Sequence, residues 1–114
     1  MRGTYETWMD TAIMEASLAT SDVPVGASLF DERGELIGVS RNSREAKGRL
    51  LGHAESNVIS EAWEYGEFGS LDGFTLISTL EPCIVCAGII RETGIVRVVY
   101  GASNPQRGAG GSVY

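Results

Sequence analysis

The sequence predicts an α/β fold in which a mixed sheet begins with an antiparallel hairpin and ends in parallel strands. Three observations carry this expectation. Short β-compatible runs alternate with stretches whose apolar residues recur at helical spacing; a tight-turn signature joins the first two runs; and a helical stretch separates the last two. With 114 residues, 43% of them apolar, the chain can bury one core and is too short for two, so residues 1–114 are read as a single domain.

Tyr5, Trp8, Met9, Ala12, Ile13 and Ala16 share one helical face, so the first element is an amphipathic helix ending near Ser21-Asp22 and covering a sheet. Val23–Phe30 and Glu35–Ser40 are two strands, joined by Asp31-Glu32-Arg33-Gly34 with the glycine where a hairpin turn needs positive φ. Arg41–Gly52 is polar, basic and glycine-punctuated without periodicity, and is assigned as a loop. It leads into His53, where a second helix starts; Ala54, Val58, Ile59, Ala62 and Trp63 mark its buried face, and Gly66 and Gly69 bound it. Phe74–Leu80 reads as a strand, Cys83–Glu92 as a short helix opened by Pro82, and Ile95–Tyr100 as another strand. Such a crossover makes the two flanking strands parallel and gathers functional residues at strand ends and helix starts. The tail Gly101–Tyr114, with Gly108, Gly110 and Gly111, is given no regular structure.

Composition narrows the functional classes. Nine Lys and Arg against 15 Asp and Glu give a net charge of −6, which argues against coating nucleic acid through a broad basic surface and favours a small or locally gripped substrate. The longest apolar stretches fall short of the roughly 20 residues that span a bilayer, and the N-terminus lacks the apolar region and cleavage site of a secretory signal. No membrane segment is expected, and the default location is the cytoplasm.

In a reducing compartment, Cys83-x-x-Cys86 suggests a metal site or a redox pair more than a structural disulfide. Both cysteines lie at a predicted helix start, where the helix dipole favours the thiolate that a metal needs. Zinc suits them. A structural zinc site is closed by four protein ligands, yet the chain holds two cysteines and one histidine, His53, which leaves one tetrahedral position open for water. An open position is the catalytic pattern, because zinc brings the pKa of water from about 15.7 to near 7. Glu55, two residues beyond His53, points to another side of the helix and is free to move protons between water, a ring nitrogen and a departing amine. Other roles stay open for each residue: a redox pair for the cysteines, a helix cap or core position for His53, and a favourable first-turn charge for Glu55.

His53-Ala54-Glu55 followed by Glu81-Pro82-Cys83-Ile84-Val85-Cys86 resembles the zinc-binding pattern of the cytidine deaminase superfamily, an arrangement known in nucleobase deaminases. Val23-Pro24-Val25-Gly26-Ala27, Thr79–Cys83, Cys86-Ala87-Gly88, Val98–Ala102 and Gly108–Ser112 extend the likeness, over most of the chain, to bacterial tRNA adenosine deaminases. The resemblance implies a cytidine deaminase-like three-layer fold with helices on both faces of the mixed sheet, and a homodimer. It implies Zn²⁺ held by His53, Cys83 and Cys86, with Glu55 as the catalytic proton shuttle. Asn42, Val25, Ala54, Pro82 and Asn104 would bind the substrate; for Asn42, a loop asparagine, the alternative is a turn residue.

Three departures bear on the substrate. Ser56-Asn57 replaces the apolar residues usual in the tRNA enzymes, and Asn57 is more like free cytidine and deoxycytidylate deaminases. Asn104 stands where an aspartate is general, and the chain stops at Tyr114 where relatives continue through a further strand and helix, so that missing cover is expected from a partner subunit. The first expectation is therefore conversion of adenosine to inosine in a tRNA anticodon loop, with the base extruded into the zinc pocket. Arg41, Arg44, Lys47 and Arg49 form a local basic cluster for phosphates, unless they are simply a solvated loop face. The second is deamination of a free base or nucleoside such as cytosine, cytidine or guanine, which net charge, Asn57 and the short tail favour. A noncatalytic zinc-binding module is the third, and the intact Glu55 argues against it.

Overall fold

The computed structural model describes residues 3–18, 24–42, 53–65 and 70–102. Helix α1 spans Thr4–Ala16, strands β1 and β2 Gly26–Phe30 and Leu36–Arg41, helix α2 Ala54–Tyr65, strand β3 Thr75–Leu80, helix α3 Ile84–Thr93 and strand β4 Arg97–Ala102. The sheet order is β2-β1-β3-β4. β1 is antiparallel to both β2 and β3, while β3 and β4, connected through α3, are parallel.

Alternation along the strands sorts the core into two layers. Ala27, Leu29 and Leu76 face Ala54, Val58, Ile59 and Ala62 of α2 and Ile90 of α3. Phe30 and Ile77 face the other way, onto Ala12 of α1, with Trp8, Met9 and Val99 around them. Helices therefore cover both faces of a mixed sheet, giving the expected three layers. Trp8 seals the α1 side by stacking on Phe30, with ring centroids 4.1 Å apart and planes 7° from parallel. α1 meets β1 at backbone contact: a β-carbon on Gly26 would collide with the Ala12 carbonyl.

The hairpin forms as its sequence dictates. Gly34 has φ +83°, and Asp31 Oδ1 accepts from the N–H groups of Arg33 and Glu35, each at 2.9 Å. Several boundaries differ from expectation. α1 stops at Ala16, where the Ser17 hydroxyl donates to the Met14 carbonyl at 2.6 Å and Leu18 N–H reaches back only to Glu15 O. β1 begins at Gly26, after Pro24, which has no N–H for a ladder. Pro82 precedes the cap of α3 instead of opening the helix; Cys83 is the cap, and Gly94 ends the helix at φ +88°. β4 runs to Ala102, two residues into the stretch assigned to the tail, because Ala102 pairs with Leu80 and its carbonyl accepts from Glu81 N–H. No described helix is long and apolar enough to cross a membrane.

Candidate metal centre and active site

The site lies where the starts of α2 and α3 meet the C-terminal end of β3. His53 immediately precedes α2, and its carbonyl accepts the first helical bond, from Asn57 N–H at 2.9 Å. β3 delivers Glu81-Pro82, and Cys83 and Cys86 follow as the cap and first turn of α3. The two starts converge: Cys83 Sγ and Cys86 Sγ each lie 3.4 Å from His53 Nδ1. All three donor atoms fall within 4.8 Å of one another. Sulfur at about 2.3 Å and nitrogen at about 2.0 Å from one tetrahedral zinc stand about 3.5 Å apart, so the spacing suits a shared ion. It also fixes Nδ1 as the ring nitrogen turned toward the sulfurs, a choice that sequence leaves open.

Glu55 occupies the first turn of α2 and is only 4% exposed. Burial raises its carboxyl above the ordinary carboxylate range, against the opposing pull of its own backbone N–H, the Cys86 thiol and the Ser78 hydroxyl. Its Oε1 has no hydrogen-bond partner among the described residues. Burial likewise pushes the Cys86 thiol up, and the nearby Glu55 carboxylate and Cys83 sulfur push in the same direction. The expected lowering of thiol pKa by the helix start is thus not met at Cys86, because desolvation and two acidic neighbours outweigh the dipole. Two cysteine sulfurs, an imidazole nitrogen and a carboxylate oxygen with no partner among the described residues make a donor set that suits a divalent metal.

The residues expected around a substrate gather here in large part. Val25, Ala54 and Pro82 are buried. Asn42 follows β2 directly; its N–H donates to Val25 O at 3.1 Å, and its Oδ1 accepts from Ala54 N–H at 2.8 Å. Asn42 thereby caps the N–H of the first residue of α2. Because Ala54 N–H can only donate, the bonded atom is the amide oxygen, which leaves Nδ2 as a donor on the other side. Arg41, read as a phosphate contact or a solvated loop residue, ends β2 and pairs with Glu15 of α1 at 2.9 Å. Asn104, Arg44, Lys47, Arg49 and the tail glycines Gly108, Gly110 and Gly111 lie outside the described residues.

Two residues not expected in the site take part. Ser78 touches Glu55 and donates to Leu80 O at 2.7 Å, at the point where β3 leaves the sheet. A hydroxyl amid the buried run Thr75-Leu76-Ile77-Ser78 was its available signal. Asn57, read as a likeness to free cytidine and deoxycytidylate deaminases, donates through Nδ2 to Arg41 O at 2.8 Å.

Residues 2–102 match the model of the cytidine and deoxycytidylate deaminase zinc-binding region. The chain belongs to this family. Zinc is accordingly its metal, and the His53, Cys83 and Cys86 donors are positioned to bind it. A tRNA-specific adenosine deaminase of Bacillus subtilis is 41% identical over 110 residues, covering 95% of this chain and 68% of that protein. A tRNA(Ile)-lysidine synthase of Deinococcus deserti is 43% identical over 99 residues, 87% of this chain but 18% of the longer protein. Among solved structures, one from a study of A-to-I editing by tRNA:A34 deaminases superposes with a TM-score of 0.90 at 37% identity, covering 96% of this chain and 85% of that one. A guanine deaminase from Bacillus subtilis gives 0.81 at 27% identity, over 92% and 67%.

Proposed function

We propose that this deaminase converts adenosine to inosine in a tRNA anticodon loop. The observation that carries the reading is the combination of 41% identity to a tRNA-specific adenosine deaminase across 95% of the chain with a site that retains a buried acid beside the metal donors. Zinc, when bound, supplies the Lewis acidity that activates water at neutral pH.

The chain's own residues supply the rest. Glu55, with its carboxyl raised by burial, takes a proton from water at a pH where an exposed carboxylate would be a weaker base, and passes it to the ring nitrogen next to the reacting carbon. A carbon–oxygen bond forms at C6, the bond to the exocyclic nitrogen breaks, and the amine leaves as ammonia after accepting a second proton. One water is consumed and no redox partner is needed. Val25, Ala54 and Pro82, all buried, are assigned to the substrate side of the site, and Asn42 offers its Nδ2 donor to the base edge. Asn104, which stands where an aspartate is general in the tRNA enzymes, is assigned to flank the substrate. An extruded base can enter such a pocket, since the unstacking cost is small in a single-stranded loop. The working form is a cytoplasmic homodimer, in which a reducing milieu keeps both thiols available.

One observation favours a second reading. The net charge of −6 suits a free base or nucleoside over a polyanion. Incubating zinc-loaded protein with an adenosine-containing anticodon stem-loop and, in parallel, with free bases and nucleosides separates the two. Inosine in the RNA alone supports the first. Ammonia from a small molecule with the RNA untouched replaces it with the second.

A further inference from the structure

We propose that Asn57 is a positioning residue that fixes Asn42 by clamping the carbonyl of Arg41, an inference that rests on the reading of Asn42 as the residue meeting the base. Asn42 stands at the end of β2, which among the described strands pairs with β1 alone. Three bonds hold this corner. Asn42 N–H donates to Val25 O at 3.1 Å, Asn42 Oδ1 accepts from Ala54 N–H at 2.8 Å, and Asn57 Nδ2 donates to Arg41 O at 2.8 Å. The last two tie the same dipeptide to the first turn of α2, one turn apart on that helix.

The side chain of Arg41 is held as well, by Glu15 of α1 at 2.9 Å. The residue before Asn42 is therefore gripped through its backbone by α2 and through its side chain by α1. A carboxamide at position 57 suits this role because a carbonyl acceptor needs a donor, which an apolar side chain lacks and a carboxylate does not offer. With the corner fixed, the Asn42 oxygen stays on Ala54 N–H and its Nδ2 keeps one direction. Without it, the Asn42 amide samples several orientations, and the base must select one of them on binding.

The test uses the zinc-loaded full chain and compares Asn57→Ala, Asn57→Asp and Asn57→Gln with wild type. Two readouts are taken: kinetics on the substrate that wild type turns over, and amide hydrogen exchange at Ala54, with Leu76 in the buried sheet as a control for folding. Loss of the clamp is expected to lower kcat/KM about three- to tenfold in N57A and N57D, mainly through KM, which is the worth of one neutral hydrogen bond. N57Q is expected to recover most of the loss, and Ala54 exchange to quicken in N57A and N57D while Leu76 is unchanged. In an Asn42→Ala background, adding N57A is expected to cost nothing further. Independent, multiplying losses from N42A and N57A overturn the proposal, as does Ala54 exchange that N57A leaves unchanged. Should N57A not fold, N57D, matched in size, carries the same comparison. If wild type deaminates none of the substrates offered, the functional reading fails, and Ala54 exchange still decides the clamp.

Discussion

His53 Nδ1 and Cys86 Sγ lie 3.4 Å apart although 33 residues of chain separate them. The contact exists because two helices begin at the same place. α2 carries His53 at its entrance, and β3 ends where α3 begins, so the register of β3 in the sheet sets the distance between the imidazole and both sulfurs. A metal that bridges them fastens α2 to α3 across the end of the sheet.

Removing the metal should therefore loosen the fold as well as stop turnover. A tightly bound ion stabilises the state that holds it by mass action, about 4 kcal/mol at a free concentration a thousand times Kd. Chelation is expected to lower Tm by more than 10 °C, given about 4–8 °C per kcal/mol for small domains and somewhat less for larger ones. Thermal unfolding with and without a chelator, alongside metal analysis, checks this. Cys86→Ser should behave as the chelated protein does and regain nothing on addition of zinc.

Zinc affinity should fall as the solution is acidified. The Cys86 thiol is pushed up by burial, by Glu55 and by Cys83, so in the metal-free protein it holds its proton well past neutral pH and must release it on binding. Below the thiol pKa each proton released contributes a factor of about ten in apparent affinity per pH unit. Competition against a chromophoric chelator between pH 6 and 8 should show log K rising with pH at a slope of at least one. A flat profile would mean that Cys86 is already a thiolate without metal.

The metal donors were legible in the sequence because their residue types and spacing carry the chemistry directly. Three soft or borderline donors, one acid and a Pro-Cys-x-x-Cys turn leave few alternatives in a chain with a single histidine. The layering of the fold was legible for a similar reason, since periods of 3.6 and 2 are local properties. Asn57, Ser78 and the Arg41–Glu15 pair were not. Each depends on which residue the sheet register places opposite: Asn57 reaches back 16 residues to Arg41 O, and Glu15 reaches 26 residues to the Arg41 guanidinium. The end of β4 was missed on the same account, because pairing with Leu80 extends it, whereas α1 stops at a local bond from the Ser17 hydroxyl to the Met14 carbonyl.

Close contact between α1 and β1 makes Gly26 a strict position. An added methyl would run into the Ala12 carbonyl, which belongs to helix backbone and cannot swing aside like a side chain. Gly26→Ala is expected to destabilise the protein by about 1–3 kcal/mol, the usual cost of overpacking a filled core. Denaturant unfolding measures it. Val25, the neighbouring residue, also accepts the Asn42 N–H, so the displaced strand should weaken substrate binding together with stability.

Glu55→Gln separates the acid's chemical role from its structural cost. The glutamine keeps the shape and its amide stays neutral, so the metal donors should still hold zinc, yet proton transfer is lost and turnover should drop by about 10²- to 10⁴-fold. In the metal-free protein the same change should be stabilising at neutral pH. The folded carboxyl is raised above its ordinary 4.5 by burial, so the unfolded chain loses its proton first as pH rises. The stability that protonated Glu55 contributes is full below that ordinary value and is lost as pH climbs through the higher folded one. Wild-type apoprotein should accordingly weaken between mildly acidic and neutral pH, and the E55Q apoprotein should weaken less over the same range. Urea unfolding of both at several pH values, with ammonia release from the zinc-loaded forms, tests the two halves together. Turnover retained by E55Q would remove Glu55 from the mechanism. An unchanged pH profile of stability would mean that its carboxylate is already compensated in the folded protein.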